Sequence, residues 1–194
     1  GPATTGTLQY KKALDAVGNA EEVDINLLVT PGLIHGIHTS VTTFAKNICE
    51  TRGDTFYIMD ISQFSDTPLN VINTVTNNEL DSNYTAVYYP WVKVLESSTN
   101  RTVWMPPTVL LPGVYAFNDQ VAFEWFAPAG LNRGGLTEAI EAKQRLTQTQ
   151  RDDLYSARVN PIASFPGQGV VVWGQKTLQI KPSALDRVNV RRLM

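Results

Sequence analysis

Hydrophobic and polar positions along this chain fall into segments whose spacing predicts the elements. Leu8, Leu14 and Val17, interleaved with Lys11, Lys12 and Asp15, predict a short helix over Leu8–Val17 that Gly18-Asn19 stops. Val23-Asp-Ile-Asn-Leu-Leu-Val29 alternates and then turns wholly apolar, as an interior strand does, and Thr30-Pro31-Gly32 is expected to break it. Ile37, Val41, Phe44, Ala45 and Ile48 recur as one stripe of a helix running to about Thr51, with Arg52-Gly53 closing it. Thr55-Phe-Tyr-Ile-Met-Asp-Ile61 follows as a second strand. Strand, helix and strand with short connections form a βαβ unit, a parallel pair with a right-handed crossover.

Beyond it, Thr67-Pro68 introduces a third helix carrying Leu69, Ile72 and Val75, with the proline in its first turn. Tyr84 to Leu95 is apolar at both parities, which predicts a strand covered on both faces. Pro90 has no N–H for a ladder, so a bulge or an edge position is expected there. Ser97 to Asn100 reads as a turn from which Thr102-Val-Trp104 returns as a hairpin. Pro106-Pro107 opens a helix holding Val109, Leu110, Val114, Phe117 and Val121, which Pro112-Gly113 is expected to kink or split. Phe123 to Gly135 reads as a loop packed by its own side chains, and residues 136–150 fit strand and helix equally. A helix over Thr149–Arg158 and short strands at Ile162–Phe165 and Gly169–Trp173 follow, the strands flanking the Phe165-Pro-Gly-Gln-Gly169 turn. Thr177–Ile180 and Arg187–Leu193 are expected to end the chain as further short strands. The pattern is α/β, leaning to α+β: a mixed β-sheet flanked by helices, with an N-terminal βαβ unit.

Composition narrows this without redirecting it. With 194 residues, 43% hydrophobic and 18% charged, residues 1–194 read as a single domain with a buried core. No apolar run exceeds four residues, so no membrane insertion is expected, and no basic segment leads into an apolar one at the N-terminus as a signal peptide would. Gly1-Pro2 reads as a processing scar. A net charge of −2 argues against a general polyanion binder, and no nucleic acid partner is expected. The charge is nonetheless polarised. Residues 1–150 hold 9 basic and 15 acidic side chains, whereas residues 151–194 hold 7 and 3, with Lys181, Arg187, Arg191 and Arg192 as a basic cluster. The single cysteine, Cys49, excludes an internal disulfide and a multi-cysteine zinc site.

Candidate chemistry is sparse. Pro31-Gly-Leu-Ile-His-Gly36 leads from strand to helix with Asp60 ending the next strand, the placement of a nucleotide- or dinucleotide-binding α/β enzyme that cradles phosphate on backbone N–H groups. Only Gly32 and Gly36 stand where that fingerprint needs three glycines, so a tight strand-to-helix turn is the favoured reading. His35 and His38 stand three apart, with His35 expected in the loop and Cys49 and Glu50 further along the helix, a poor match to converging zinc ligands. Glu21/Glu22 and Asp152/Asp153 are adjacent pairs that point apart, and no G-x-S-x-G occurs. Asn83-Tyr-Thr85 and Asn100-Arg-Thr102 match glycosylation sequons, as a threonine-rich chain does by chance. No catalytic residue, cofactor or metal ligand is assigned.

The second half carries a resemblance. Tyr88-Tyr-Pro-Trp-Val-Lys-Val94, Pro106-Pro107 followed by Gly113-Val-Tyr-Ala116, and Ala127-Pro-Ala-Gly130 stand in order. Val159-Asn-Pro-Ile-Ala-Ser-Phe-Pro-Gly-Gln-Gly-Val-Val-Val-Trp-Gly-Gln-Lys-Thr-Leu178 and Val188-Asn-Val-Arg-Arg-Leu193 complete the series. These blocks resemble the tail sheath proteins of contractile-tailed bacteriophages, a family extending to contractile bacteriocins and related injection machines. Two departures stand out: Lys176 where the family commonly has arginine, and Asn118-Asp119 where a Thr-Asp pair is frequent. The resemblance implies a structural, non-enzymatic subunit with no cofactor. Such a subunit assembles as a helical tube around an inner tail tube and contracts to drive that tube through the host envelope. Its implied partners are other sheath subunits, the inner tube protein, and baseplate and tail terminator proteins. The implied location is the virion tail, after assembly in the host cytoplasm. Family members are commonly longer and carry terminal arms that add strands to neighbours, so this chain is expected to be a conserved-domain fragment that stays monomeric alone. The basic end then becomes a candidate subunit contact through Arg187, Arg191 and Arg192, whose charge reversal is expected to impair assembly at low salt.

Overall fold

A five-stranded sheet in the order β1-β2-β3-β7-β8 divides the molecule into two apolar cores, seen in a computed structural model that describes residues 5–194. Gly1-Pro2 lies outside the described residues. The strands are β1 (Leu27–Ile34), β2 (Phe56–Asp60), β3 (Thr85–Tyr89), β7 (Asn160–Phe165) and β8 (Gly169–Val172). β1, β2, β3 and β7 run parallel, and β8 returns antiparallel to β7, so the sheet is mixed. The helices are α1 (Thr5–Ala16), α2 (His35–Arg52), α3 (Pro68–Asn77), α4 (Leu111–Val121), α5 (Gln148–Ser156) and α6 (Val188–Leu193). A smaller antiparallel sheet orders β5 (Arg101–Met105), β4 (Val92–Glu96) and β6 (Ala139–Ala142) side by side.

Strand parity explains the two cores. Successive side chains in a strand point to opposite faces. Tyr57, Met59, Val87 and Tyr89 accordingly pack with Val41, Ala45 and Cys49 of α2, Val71 and Val75 of α3, and Leu154 of α5. Phe56, Ile58, Ala86 and Tyr88 face the other way, onto Leu111, Val114 and Tyr115 of α4, Val92 and Val94 of β4, and Val188 of α6. Every residue of β2 and β3 is buried, as the apolar runs required. α2 and α3 share one core, so the β1–β2 and β2–β3 crossovers lie on the same face of the sheet.

Local chemistry sets the boundaries. Thr67 caps α3 by accepting from the Asn70 N–H, with Pro68 in the first turn. Thr147 and Gln150 form a reciprocal capping box on α5. Gly53 ends α2 in a left-handed conformation (φ 75°), its N–H returning to the Cys49 carbonyl. At Gly134 a Cβ would meet the Ala129 Cα and the Val172 carbonyl oxygen at 2.7 Å each, so the 130–136 segment reaches β8 only with glycine there. That segment covers the outer edge of β8 through Gly130 N–H to Val172 O, Val172 N–H to Gly134 O and Leu136 N–H to Val170 O.

Several elements differ from the sequence expectations. β1 begins at Leu27, not Val23, and continues through Thr30-Pro31-Gly32 with a shift of register between Val29 and Ile34. Proline is tolerated because β1 is an edge strand. Ile37 is 55% exposed instead of leading the buried stripe of α2, since non-helical His38 (φ −110°, ψ 36°) resets the helical phase. The expected strand Tyr84–Leu95 divides at Pro90, after a cis Tyr89–Pro90 bond, into β3 and β4 in different sheets. After a 3-10 turn at Pro107–Val109, α4 begins at Leu111, so Pro112 sits in its first turn, where its missing N–H costs nothing. Residues 136–150 resolve into β6 and the start of α5. Thr177–Ile180 forms no strand, although Leu178 N–H reaches Thr85 O. Arg187–Leu193 is not a strand either: Val188–Leu193 is helical. Alternating Val188, Val190 and Arg192 mimicked a strand, but Arg191 and Arg192 reach different layers from one helical turn.

Candidate functional site

The first βα turn is a built polar corner occupied by the chain itself. Asp60 ends β2 and is 2% exposed. Its Oδ2 accepts from the Gly32 N–H at 3.0 Å and from Thr108 Oγ1 at 2.7 Å, while Oδ1 has no partner. Burial pushes this carboxyl above its ordinary value, against the lowering from those hydrogen bonds. The groups a ribose and a phosphate would need are thus spent on joining β1, β2 and the Pro107–Val109 turn. Strand order adds a second obstacle. Ligand crevices in parallel sheets open where strand order reverses, and β1, β2 and β3 are neighbours in chain order.

His35 lies in the first turn of α2, not in a loop, and is buried with Nδ1 2.9 Å from Thr42 Oγ1. Burial lowers its pKa, with Lys46 adding to the effect. Among the described residues no three His, Cys, Asp or Glu side chains gather as a metal site would require. Cys49 is buried and its thiol is pushed up to about 12, chiefly by desolvation.

The three arginines of the basic end are engaged within the chain. Arg192 forms a two-pronged pair with Asp119 of α4 (3.0 and 2.5 Å), and its guanidinium lies 5.0 Å from the Tyr115 ring centroid. Its side chain is only 7% exposed. Arg191 stacks on Tyr84 at 3.7 Å and donates to the Gly53 carbonyl, and Arg187 pairs with Asp186 at 2.7 Å. Tertiary packing thus gives each of these candidate contact residues a partner within the chain that a charge count along the sequence does not see. The two departures from the sheath blocks also find partners. Asn118 donates to the Phe123 and Phe126 carbonyls, and Lys176 donates to Tyr155 O while its ammonium sits 4.3 Å from that ring.

The feature that sequence reasoning missed is the outer face of α4 and the loop after it. Val109, Phe117, Val121, Phe123, Trp125, Phe126 and Leu131 are all exposed, Phe117 at 47% and Trp125 at 50%. Phe123 and Trp125 stack in parallel at 4.4 Å, and the Arg133 guanidinium lies 4.9 Å from the Phe126 ring centroid. The loop is packed by its own side chains, as expected, yet leaves them half in water. A groove of about 500 Å³ opens beside them, lined by Val109, Val114, Phe117, Leu131 and Leu136 with Glu138 on its rim. Exposed apolar surface rimmed by polar residues is of the kind that protein contacts use. The signal was present in sequence: α4 carries more apolar positions than one buried face uses.

Known proteins agree with this architecture. The chain matches the family described as phage tail sheath protein central domain over residues 3–178. It is 32% identical over 183 residues to the tail sheath protein of Vibrio phage KVP40, covering 94% of this chain and 26% of that protein. To the tail sheath protein of Enterobacteria phage T4 it is 30% identical over 190 residues, covering 98% and 26%. It superposes on a chain of the anti-feeding prophage baseplate with a TM-score of 0.69 at 25% identity, covering 100% of this chain and 55% of that one. For the anti-feeding prophage helical sheath in its contracted state the TM-score is 0.66 at 26% identity, covering 100% and 49%. The chain spans about a quarter of the length of these two curated relatives.

Proposed function

This chain belongs to the phage tail sheath protein family, and from that membership we propose that it is the conserved structural domain of a contractile sheath subunit, part of a longer polypeptide. The observation that carries the reading is the extent of the match: the family spans residues 3–178, and two relatives cover 94% and 98% of the chain. In this reading the parent protein tiles a helical tube around an inner tail tube and contracts to drive it through the host envelope. Its further partners are baseplate and tail terminator proteins, with no nucleic acid and no membrane insertion. It works in the virion tail after assembly in the host cytoplasm. The work is mechanical, and the family is structural. Heterologous contacts that do not close build a helical array, and rigid-body repacking between two lattices converts one length into another.

The exposed apolar face at Val109–Leu131 supports this reading, because a subunit of an array buries such surface against neighbours. Arg187 and Arg191 contribute to lattice contacts only through what their own pairings leave free. Charge reversal at Arg192 is expected first to break its own pair with Asp119. The 194-residue chain alone is expected to stay monomeric. Electron microscopy of the full-length parent polypeptide tests the proposal: striated tubes are expected. A parent that remains a dispersed monomer and instead shows a saturable thermal shift with nicotinamide cofactors would overturn it in favour of a dinucleotide enzyme. Filaments formed by the 194-residue chain alone would overturn the monomer expectation.

A further inference from the structure

Helix α6 is attached to the rest of the molecule unevenly. At its start Val188 is fully buried in the second core, and its N–H donates to the Gln175 carbonyl. Past that point the attachment is polar. Asn189 donates to the Trp125 carbonyl at 2.7 Å, Arg191 lies on the Tyr84 ring and bonds Gly53 O, and Arg192 grips Asp119. Leu193 and Met194 are exposed. Beneath this distal part lies a cleft of about 330 Å³, lined by Asn26, Thr55, Phe56, Tyr84 and Glu124 on the domain side. The helix therefore bridges two layers across this cleft, the βαβ side through Gly53 and Tyr84 and the α4 side through Asp119 and Trp125.

We propose that Asn189–Leu193 is a strap hinged at Val188, closed across this cleft by the Arg192–Asp119 pair and the Arg191–Tyr84 stack, and that it opens without unfolding either core. Local opening of elements with few buried apolar contacts runs below the free energy of global unfolding. The inference rests on the contacts of α6 alone and stands or falls separately from the sheath reading. In an assembled array, strap opening would uncover the cleft to a neighbour.

Trypsin reads the opening directly, because Arg191 and Arg192 are themselves cleavage sites within the strap. Cutting there is measured against Arg101 in the exposed hairpin and against Arg158, which bonds the Leu80 and Leu178 carbonyls and reports global unfolding. Asp119→Asn removes the charge and keeps the shape. The expected result is an increase of about tenfold in the strap-to-Arg101 cutting ratio, from loss of a charge-assisted hydrogen-bonded pair. Tyr84→Leu, which removes the stack from the other side, should act in the same direction. An unchanged ratio in both variants overturns the proposal. So does cutting at Arg158 that rises in step with the strap in both, which would mean that the strap opens only when the whole chain unfolds.

Discussion

Strands β2 and β3 and the stretch from Val109 to Leu131 both read as apolar in sequence, yet the fold treats them oppositely. Each residue of β2 and β3 is buried, because one parity meets α2, α3 and α5 and the other meets α4 and the smaller sheet. In the second stretch Leu111, Val114 and Tyr115 enter the core while Val109, Phe117, Val121, Trp125 and Leu131 remain exposed. A strand in the middle layer has two faces and two partners. α4 lies in an outer layer and has one. Apolar surplus in an outer layer signals a missing neighbour, which is why this face is read as an assembly surface and not as a misplaced core.

Three substitutions test that contrast. The largest effect belongs to the middle layer: Ile58→Ala is expected to destabilise the chain by about 2–5 kcal/mol, seen as a large drop in denaturant midpoint. A loss below about 0.5 kcal/mol would mean that the two-sided core is looser than its burial indicates.

A middle-sized effect is expected at Asp60, the buried acid at the edge of that layer. Its folded-state pKa is raised by burial, so the native chain binds this proton more tightly than the unfolded chain. Stability from this group is therefore gained as pH falls from above the raised value towards the ordinary 3.8, and is lost as pH rises through the same window. Asp60→Asn should flatten that part of the stability–pH curve, measured by urea unfolding from acid to neutral pH. An unchanged slope would show that the Asp60 carboxyl titrates no differently in the folded chain.

The smallest effect on the chain is expected on the outer face. Phe117→Ser should change its stability by no more than about 0.5 kcal/mol while impairing tube formation by the full-length parent in electron micrographs. Intact tubes would remove Phe117 from the lattice contact. A strongly destabilised chain would show that the side chain is packed after all.

Legibility followed the same division. The βαβ unit, the two-faced strand and the β7–β8 hairpin were readable because period, glycine and proline positions encode them locally. Asp60 stands out in sequence by its place at a strand end, but its use by Gly32 and Thr108 does not, since Thr108 is 48 residues away in sequence. The pairing of Arg192 is hidden in the same way, because its partner Asp119 lies 73 residues earlier. α6 read as a strand because six residues with alternating valines carry no decisive period.

What the amino-acid sequence determined by itself is the order of elements in the first half, the apolar parity of the middle strands and the blocks that mark the sheath family. Those depend on neighbours within a few residues, or on motif order, and both are written along the chain. Only the tertiary structure decided which apolar face of α4 stays uncovered, which carboxylate each arginine meets and where Pro90 hands the chain from one sheet to another. The physical reason is that burial and charge pairing are properties of places where distant segments converge, and no local spacing specifies such a place.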